Sequence, residues 1–260
     1  MGAVDHTGAV IDALFASGWA SCGCPTAVLP DGCVDVVWVN GELVVAGPAT
    51  TAVPVPASVG EQPFGVRLRT GAVEGVLGVP ADVLRDVDVP LADVHGSRAG
   101  ARVQGRVARA RRSGTRAGLR VLVEQLAGSA VAGQPDLLVR EAARRLAVPG
   151  VLLPQVARDL DVSERQLRRR FARSVGYGPR MLGRVHRLQR VLTRHEQAPN
   201  MPLAELAAAA GYADQSHMSR EVRQLSGTTP RQLLASGAKA AGEKAGSFKT
   251  CGSADHRLLR

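Results

Sequence analysis

Ser163-Glu-Arg-Gln-Leu-Arg-Arg-Arg-Phe-Ala-Arg-Ser-Val-Gly176, running on into Tyr177-Gly-Pro179-Arg180, has a second copy further along the chain. It reads Asp214-Gln-Ser-His-Met-Ser-Arg-Glu-Val-Arg-Gln-Leu-Ser-Gly227, then Thr228-Thr-Pro230-Arg231, at an offset of 51 residues. Each copy opens on a helix-capping residue, carries apolar residues at helical spacing and closes on glycine. Each follows a short apolar helix pattern and a tight turn. A helix–turn–helix unit built twice and made basic is suited to gripping DNA at two successive places.

In the first unit Leu153, Val156, Ala157 and Leu160 line one face of a supporting helix, and Asp161-Val162 makes the turn. Ser163 caps the next helix, with Gln166 completing a capping box. Leu167, Phe171 and Val175 then fall at i, i+4 and i+8, leaving Arg165, Arg168, Arg169 and Arg173 on the opposite face. The second unit repeats this with Leu203, Leu206, Ala207 and Ala210 as support and a turn, Gly211-Tyr212-Ala213, one residue longer. Asp214 caps its recognition helix. Met218, Val222 and Leu225 face inward, while Gln215, Ser216, Ser219, Arg220 and Arg223 face out. Between the units Pro179 starts a helix, where its missing N–H costs nothing. Leu182, Val185, Leu188 and Leu192 form its buried stripe. A linker helix of about 16 residues spans about 24 Å. With sideways offset, it can hold two recognition helices near the ~34 Å spacing of successive major grooves.

Charge is divided along the chain. Residues 1–96 hold 3 Lys/Arg against 11 Asp/Glu, whereas 97–260 hold 30 against 12. A GC-rich genome would favour Arg over Lys but would not reverse the sign between halves, so the polyanion signal belongs to the second part. No stretch reaches the roughly 18 apolar residues that cross a bilayer. The first 17 residues lack a basic n-region, so a cytoplasmic location without membrane contact is expected. The four cysteines then read as thiols rather than disulfides.

The front part is expected to be α+β, a small mixed sheet with helices, followed by an all-α double helix–turn–helix domain. Val10, Ile11, Leu14 and Phe15 fit a short helix. Cys33-Val-Asp-Val-Val-Trp-Val39, Asn40-Gly41 and Glu42-Leu-Val-Val-Ala46 read as a hairpin with a type I′ turn. Phe64–Arg69 reads as a strand, Ala72–Gly78 as a short helix and Pro80–Val89 as another helix, with Val83 and Leu84 apolar. Leu119, Leu122, Val123 and Leu126 form a stripe that serves either as core or as the seam of a homodimer. Asp136–Val148 reads as a helix with Leu137, Leu138, Ala142 and Leu146 inward. The expected organisation is a sensor or partner-binding domain (1–96), a helical coupling or dimerisation segment (97–149), the DNA-binding domain (150–235) and a disordered tail (236–260).

These residues carry a resemblance. Val156-Ala157, Ser163 to Phe171, Val175-Gly176, Pro179, Arg187-Leu188, Leu206-Ala207, Gly211-Tyr212, Gln215 to Arg220 and Gly227-Thr-Thr-Pro230 make 150–235 similar to the DNA-binding domain of AraC/XylS-type transcriptional regulators. The resemblance implies base contacts from Arg165, Arg168 and Arg169 in the first helix and from Gln215, Ser216, Ser219 and Arg220 in the second. Arg suits guanine O6/N7 and Gln suits adenine N6/N7. Arg173, Arg187 and Arg223 are assigned to phosphates, which position the protein without reading sequence. The implied partners are double-stranded promoter DNA, RNA polymerase and a small-molecule effector; no cofactor or catalytic residue is implied. Leu29-Pro-Asp-Gly-Cys-Val-Asp35, Val45-Ala-Gly-Pro48 and Phe64–Gly71 resemble a domain of unknown function often fused before AraC-type DNA-binding domains.

Cys22, Cys24 and Cys33 are the chemical oddity. Cys-x-Cys with a third nearby thiol could bind zinc or sense oxidants. That gives an alternative function, a cysteine-based DNA-damage or metal/redox sensor on the same DNA-binding domain. The spacing matches no standard zinc site, and Cys33 at a strand start fits a small buried hydrophobe. A nucleoid-type binder without sequence preference is a second rival.

Overall fold

The computed structural model describes residues 11, 14–20, 27–54, 63–130 and 135–236. The expected tail from 237 onward and the thiols Cys22 and Cys24 lie outside the described residues.

The front part is built on an antiparallel sheet of strands β1 (Phe15–Ala20), β3 (Asp35–Val39), β4 (Glu42–Ala46), β6 (Phe64–Leu68) and β7 (Asp88–Pro90), in the order β1-β6-β3-β4-β7. A small ribbon pairs β2 (Ala27–Val28) with β5 (Val53–Pro54). The β3–β4 hairpin turns at Asn40 and Gly41, both with positive φ (50° and 84°), as a type I′ turn requires. Alternation then sends Val36, Trp38, Leu43 and Val45 into the core. β6 lies between β1 and β3 and is buried on both faces. Phe64 and Val66 sit opposite Trp38 and Val36 on the core side, while Arg67 sits opposite Asp35 on the other.

The core side is covered by two long helices, Ser97–Arg111 and Thr115–Ser129. Leu119, Leu122, Val123 and Leu126 are 0–3% exposed and share one hydrophobic cluster with the sheet. The Gly18 backbone approaches so closely that an added Cβ would lie 2.7 Å from Leu119. The stripe is therefore core and is not free to form a dimer seam. Residues 97–130 complete the sheet domain rather than forming a separate coupling segment.

Two local expectations are corrected. The helix expected over Pro80–Val89 is a 3-10 turn (Ala81–Leu84) followed by strand β7. Asp86, at φ 59°, breaks the turn, and Val87–Pro90 lies along the free edge of β4, with Gly47 N–H donating to Val87 O. Val83 is consequently exposed and only Leu84 is buried. Phe15 belongs to a strand instead of a helix.

The helix Leu137–Leu146 also differs from its expected orientation. Val139, Ala142 and Ala143 are buried, whereas Leu137 is 59% exposed. Asp136 fixes that rotation. Its side chain caps the helix at Val139 N–H (3.0 Å) and accepts a bidentate pair from Arg170 (2.8 and 3.0 Å).

The helices from Leu137 onward form two further cores, whereas the short helices Val73–Leu77 and Leu91–His95 pack into the sheet domain. One gathers Val139, Ala142, Val156, Leu167, Phe171 and Val175; the other gathers Leu206, Met218, Val222, Leu225 and Leu233. The linker helix, Pro179–Gln197, serves both: Leu182 and Val185 enter the first, Leu188, Val191 and Leu192 the second. Each fully buried Leu contributes about 1.5–3 kcal/mol, so this one helix welds two small units neither of which has much core alone.

Candidate nucleic-acid interface

The two units repeat at the level of single hydrogen bonds. The first supporting helix, Leu153–Asp159, ends with Val162 N–H donating to Ala157 O; the second, Leu203–Ala210, ends with Tyr212 N–H donating to Ala207 O. Asp161 (φ 52°) and Gly211 (φ 86°) supply the left-handed residue at each turn. The extra residue of the second turn is Ala213, after which Asp214 begins the next helix.

The first recognition helix is Glu164–Val175 and the second Gln215–Ser226. Ser163 accepts from Gln166 N–H (3.2 Å) while Gln166 Oε1 accepts from Ser163 N–H (2.9 Å), closing the expected capping box. Asp214 accepts from His217 N–H at 2.6 Å. Leu167 and Phe171, and in the second helix Met218 and Val222, are fully buried. On the outward sides Arg165, Arg168 and Arg169 are exposed, as are Gln215, Ser216, Arg220 and Arg223; Ser219 is half-buried. Among the described residues Arg168 pairs only with Glu164 of its own helix (2.6 Å), an exposed i,i+4 contact worth a few tenths of a kcal/mol. Such a contact yields readily to a phosphate or a base.

Arg187 is placed differently from its expected phosphate role. It forms a bidentate pair with Glu221 (2.9 and 2.7 Å), and its guanidinium lies 5.4 Å from the Tyr212 ring centroid. Glu221 is 6% exposed and also accepts from Arg184 (3.2 Å). The paired guanidiniums, Arg187 foremost, hold its carboxyl below the usual range against the opposing effect of burial. Arg187 is thus an internal tie between linker helix and second recognition helix. Spacing gave no hint of this, because the pairing depends on helix rotation.

Arg173 remains half-exposed, but it pairs with Glu74 on the short helix Val73–Leu77 of the sheet domain. The sheet domain touches the reading units elsewhere as well. The left-handed turn at Gly176 (φ 89°) packs so tightly on Pro48 that a Cβ would lie 2.3 Å from Pro48 Cγ. Ala52 N–H donates to Leu225 O (2.7 Å), and Gln189 Nε2 to Pro30 O (2.7 Å). Arg190, not singled out by its sequence position, donates to Ala147 O and Ala210 O (2.9 Å each). It satisfies carbonyls at the ends of two helices, one from each unit.

Residues 156–236 match the family model described as a helix-turn-helix domain, and residues 8–90 match that of a domain of unknown function (DUF6597). The chain carries an AraC-type helix–turn–helix domain. A domain of that type supports a DNA-binding transcriptional regulator. No curated protein matches the chain. Among solved structures it is similar to ToxT from Vibrio cholerae O395, at 11% identity over 85% of this chain and 96% of that one, TM-score 0.45. It is also similar to a further crystal form of ToxT from Vibrio cholerae, at 9% identity over 87% of this chain and 98% of that one, TM-score 0.42.

Of the thiol cluster, only Cys33 is described. Burial pushes its thiol up, away from the thiolate that metal binding or oxidation needs. Among the described residues no group of three or more His, Cys, Asp or Glu is placed to hold a metal ion. No helix among them is long and apolar enough to cross a membrane.

The Glu74–Arg173 pair has a testable consequence. Glu74→Gln is expected to raise affinity for duplex DNA about two- to tenfold at low salt, since it frees a cation and removes an anion beside the reading helix. Titration of a labelled duplex at low salt, about 50 mM, checks this; an unchanged or weaker affinity refutes it.

Proposed function

We propose that the chain is a sequence-specific, cytoplasmic transcription regulator that seats Glu164–Val175 and Gln215–Ser226 in successive major grooves of promoter DNA. The observation that carries this is the repeated geometry: two capped helices, each anchored by a buried apolar stripe, each presenting a free polar face. Arg165, Arg168 and Arg169 read bases in one groove; Gln215, Ser216, Ser219 and Arg220 read the next. Arg223 contacts phosphate, and Arg173 does so once released by Glu74. The sheet domain modulates this by holding or yielding its contacts with the reading units, under control of an effector or partner.

The test is selection of bound duplexes followed by single substitutions. Arg169→Ala and Arg220→Ala are each expected to cost about 1–3 kcal/mol on the selected site and to relax preference at one base position. Equal loss on every sequence would reassign the residue to the backbone. Equal binding of selected and random duplexes across a salt series would leave only a non-specific binder.

A further inference from the structure

The two helices that cover the sheet, Ser97–Arg111 and Thr115–Ser129, together with the turn between them, hold eight arginines and a single acid, Glu124. On the first helix Arg98, Arg102, Arg106 and Arg109 recur at i, i+4, i+8 and i+11, within one face, opposite the buried Gly100, Val103 and Val107. Arg116 and Arg120 continue the exposed basic surface on the second helix. Arg106 donates to the neutral Gln125 (2.9 Å), and among the described residues none of these six forms an ion pair. The chain does pair its arginines elsewhere: Arg144 and Arg145 with Glu141, Arg170 with Asp136, Arg187 with Glu221.

Like charges at i,i+4 destabilise a helix by a few tenths of a kcal/mol each, and ordinary soluble surfaces intersperse the two signs. A stripe that repeats the unfavourable spacing and omits acids is matched only by a partner of dense negative charge. Position favours a duplex. The short helix Val73–Leu77 touches both Thr115–Ser129 and the first recognition helix. Ser97–Arg111 packs in turn on Thr115–Ser129. Packed helices lie about 8–10 Å apart, so three such steps put the arginine stripe about 24–30 Å from the groove-facing helix, roughly seven to nine base pairs of DNA.

We infer that the Arg98–Arg120 hairpin is a second, sequence-independent DNA surface that grips the phosphate backbone flanking the bases read by the first recognition helix. This rests on the reading of Glu164–Val175 as a groove-inserting helix. The sheet domain, acidic over residues 1–96, thereby contributes its own cationic handle to the complex.

The experiment uses the full chain and a fluorescent duplex of random sequence, about 40 base pairs long, titrated from about 50 to about 300 mM salt. The triple variant R98Q/R102Q/R109Q is expected to lower the slope of log affinity against log salt by about two to three and the affinity at about 100 mM by about 10- to 100-fold. The corresponding Arg→Lys triple variant should bind as the parent does, because a phosphate contact needs charge rather than guanidinium shape. On a duplex of about 20 base pairs, long enough only for two successive grooves, the glutamine variant and the parent should differ much less. Equal slopes and affinities on the long duplex overturn the inference while leaving the reading helices untouched. Failure of both proteins to bind any duplex overturns both readings together. Unchanged DNA binding with lost binding to phosphatidylserine vesicles would assign the surface to a membrane and overturn it too.

Discussion

Arg67→Met is expected to destabilise the folded chain by about 3–5 kcal/mol at pH 7. Arg67 is 7% exposed and lies on the sheet face away from the main core. Its guanidinium bonds Asp35 with Nε and Nη2 at 2.9 Å each, and Nη2 lies 2.6 Å from Asp31. Cys33 N–H donates to Asp31 Oδ1, and the buried Tyr177 of the reading domain closes over the same loop. Removing the cation leaves two carboxylates with little water and no counter-charge, which is where single substitutions at a buried pair do most damage. The loss should shrink on acidification. Burial already pushes the Asp35 carboxyl above its usual range even with Arg67 present. Without Arg67 that rise grows. A carboxyl whose folded pKa lies above its unfolded value adds most stability below the unfolded pKa of about 4, and that contribution is lost as pH rises through the folded value. Denaturant unfolding at pH 7 and pH 5 should therefore show a smaller deficit at pH 5. A deficit under about 1 kcal/mol at pH 7, or one that grows with acid, contradicts this account.

Phe171→Ala should cost a similar amount, about 3–5 kcal/mol. Phe171 is fully buried in the cluster that joins the first recognition helix to Leu137–Leu146 and to the linker helix. Val139, Ala142, Val156, Leu167, Val175, Leu182 and Val185 share that cluster, so truncating the ring opens a cavity among them. The first unit would lose its rigid hold on Arg165, Arg168 and Arg169, so affinity for a selected duplex should fall along with stability. Thermal unfolding and duplex titration measure the two effects; an unchanged melting temperature would show that Phe171 does not anchor the helix.

The double helix–turn–helix was legible because every cue there is local. Ser163 with Gln166, Asp214, Gly176 and Gly227 act within one turn of chain, and the apolar stripes need only helical periodicity. The Asn40-Gly41 hairpin was legible for the same reason. Long-range pairings escaped. Phe15–Ala20 reads as apolar and small, and it becomes a strand only because β6 offers it an edge. Asp88–Pro90 extends because β4 does the same. The rotation of Leu137–Leu146 was set by Asp136 and Arg170, 34 residues apart, beyond the reach of periodicity. Arg187 and Arg173 looked alike as exposed cations, and only the fold distinguishes a part-buried tie to Glu221 from a half-exposed pair with Glu74.

One stretch of backbone touches both reading units. Pro48 seats the turn at Gly176 that ends the first recognition helix, and four residues later Ala52 N–H bonds Leu225 O near the end of the second. Surface connections usually accept added or deleted residues with little harm. This one works as a fixed-length spacer. A single residue gained or lost between 48 and 52 would let it meet one helix end only by leaving the other, so the two grips are geared to a common part and would shift in unison.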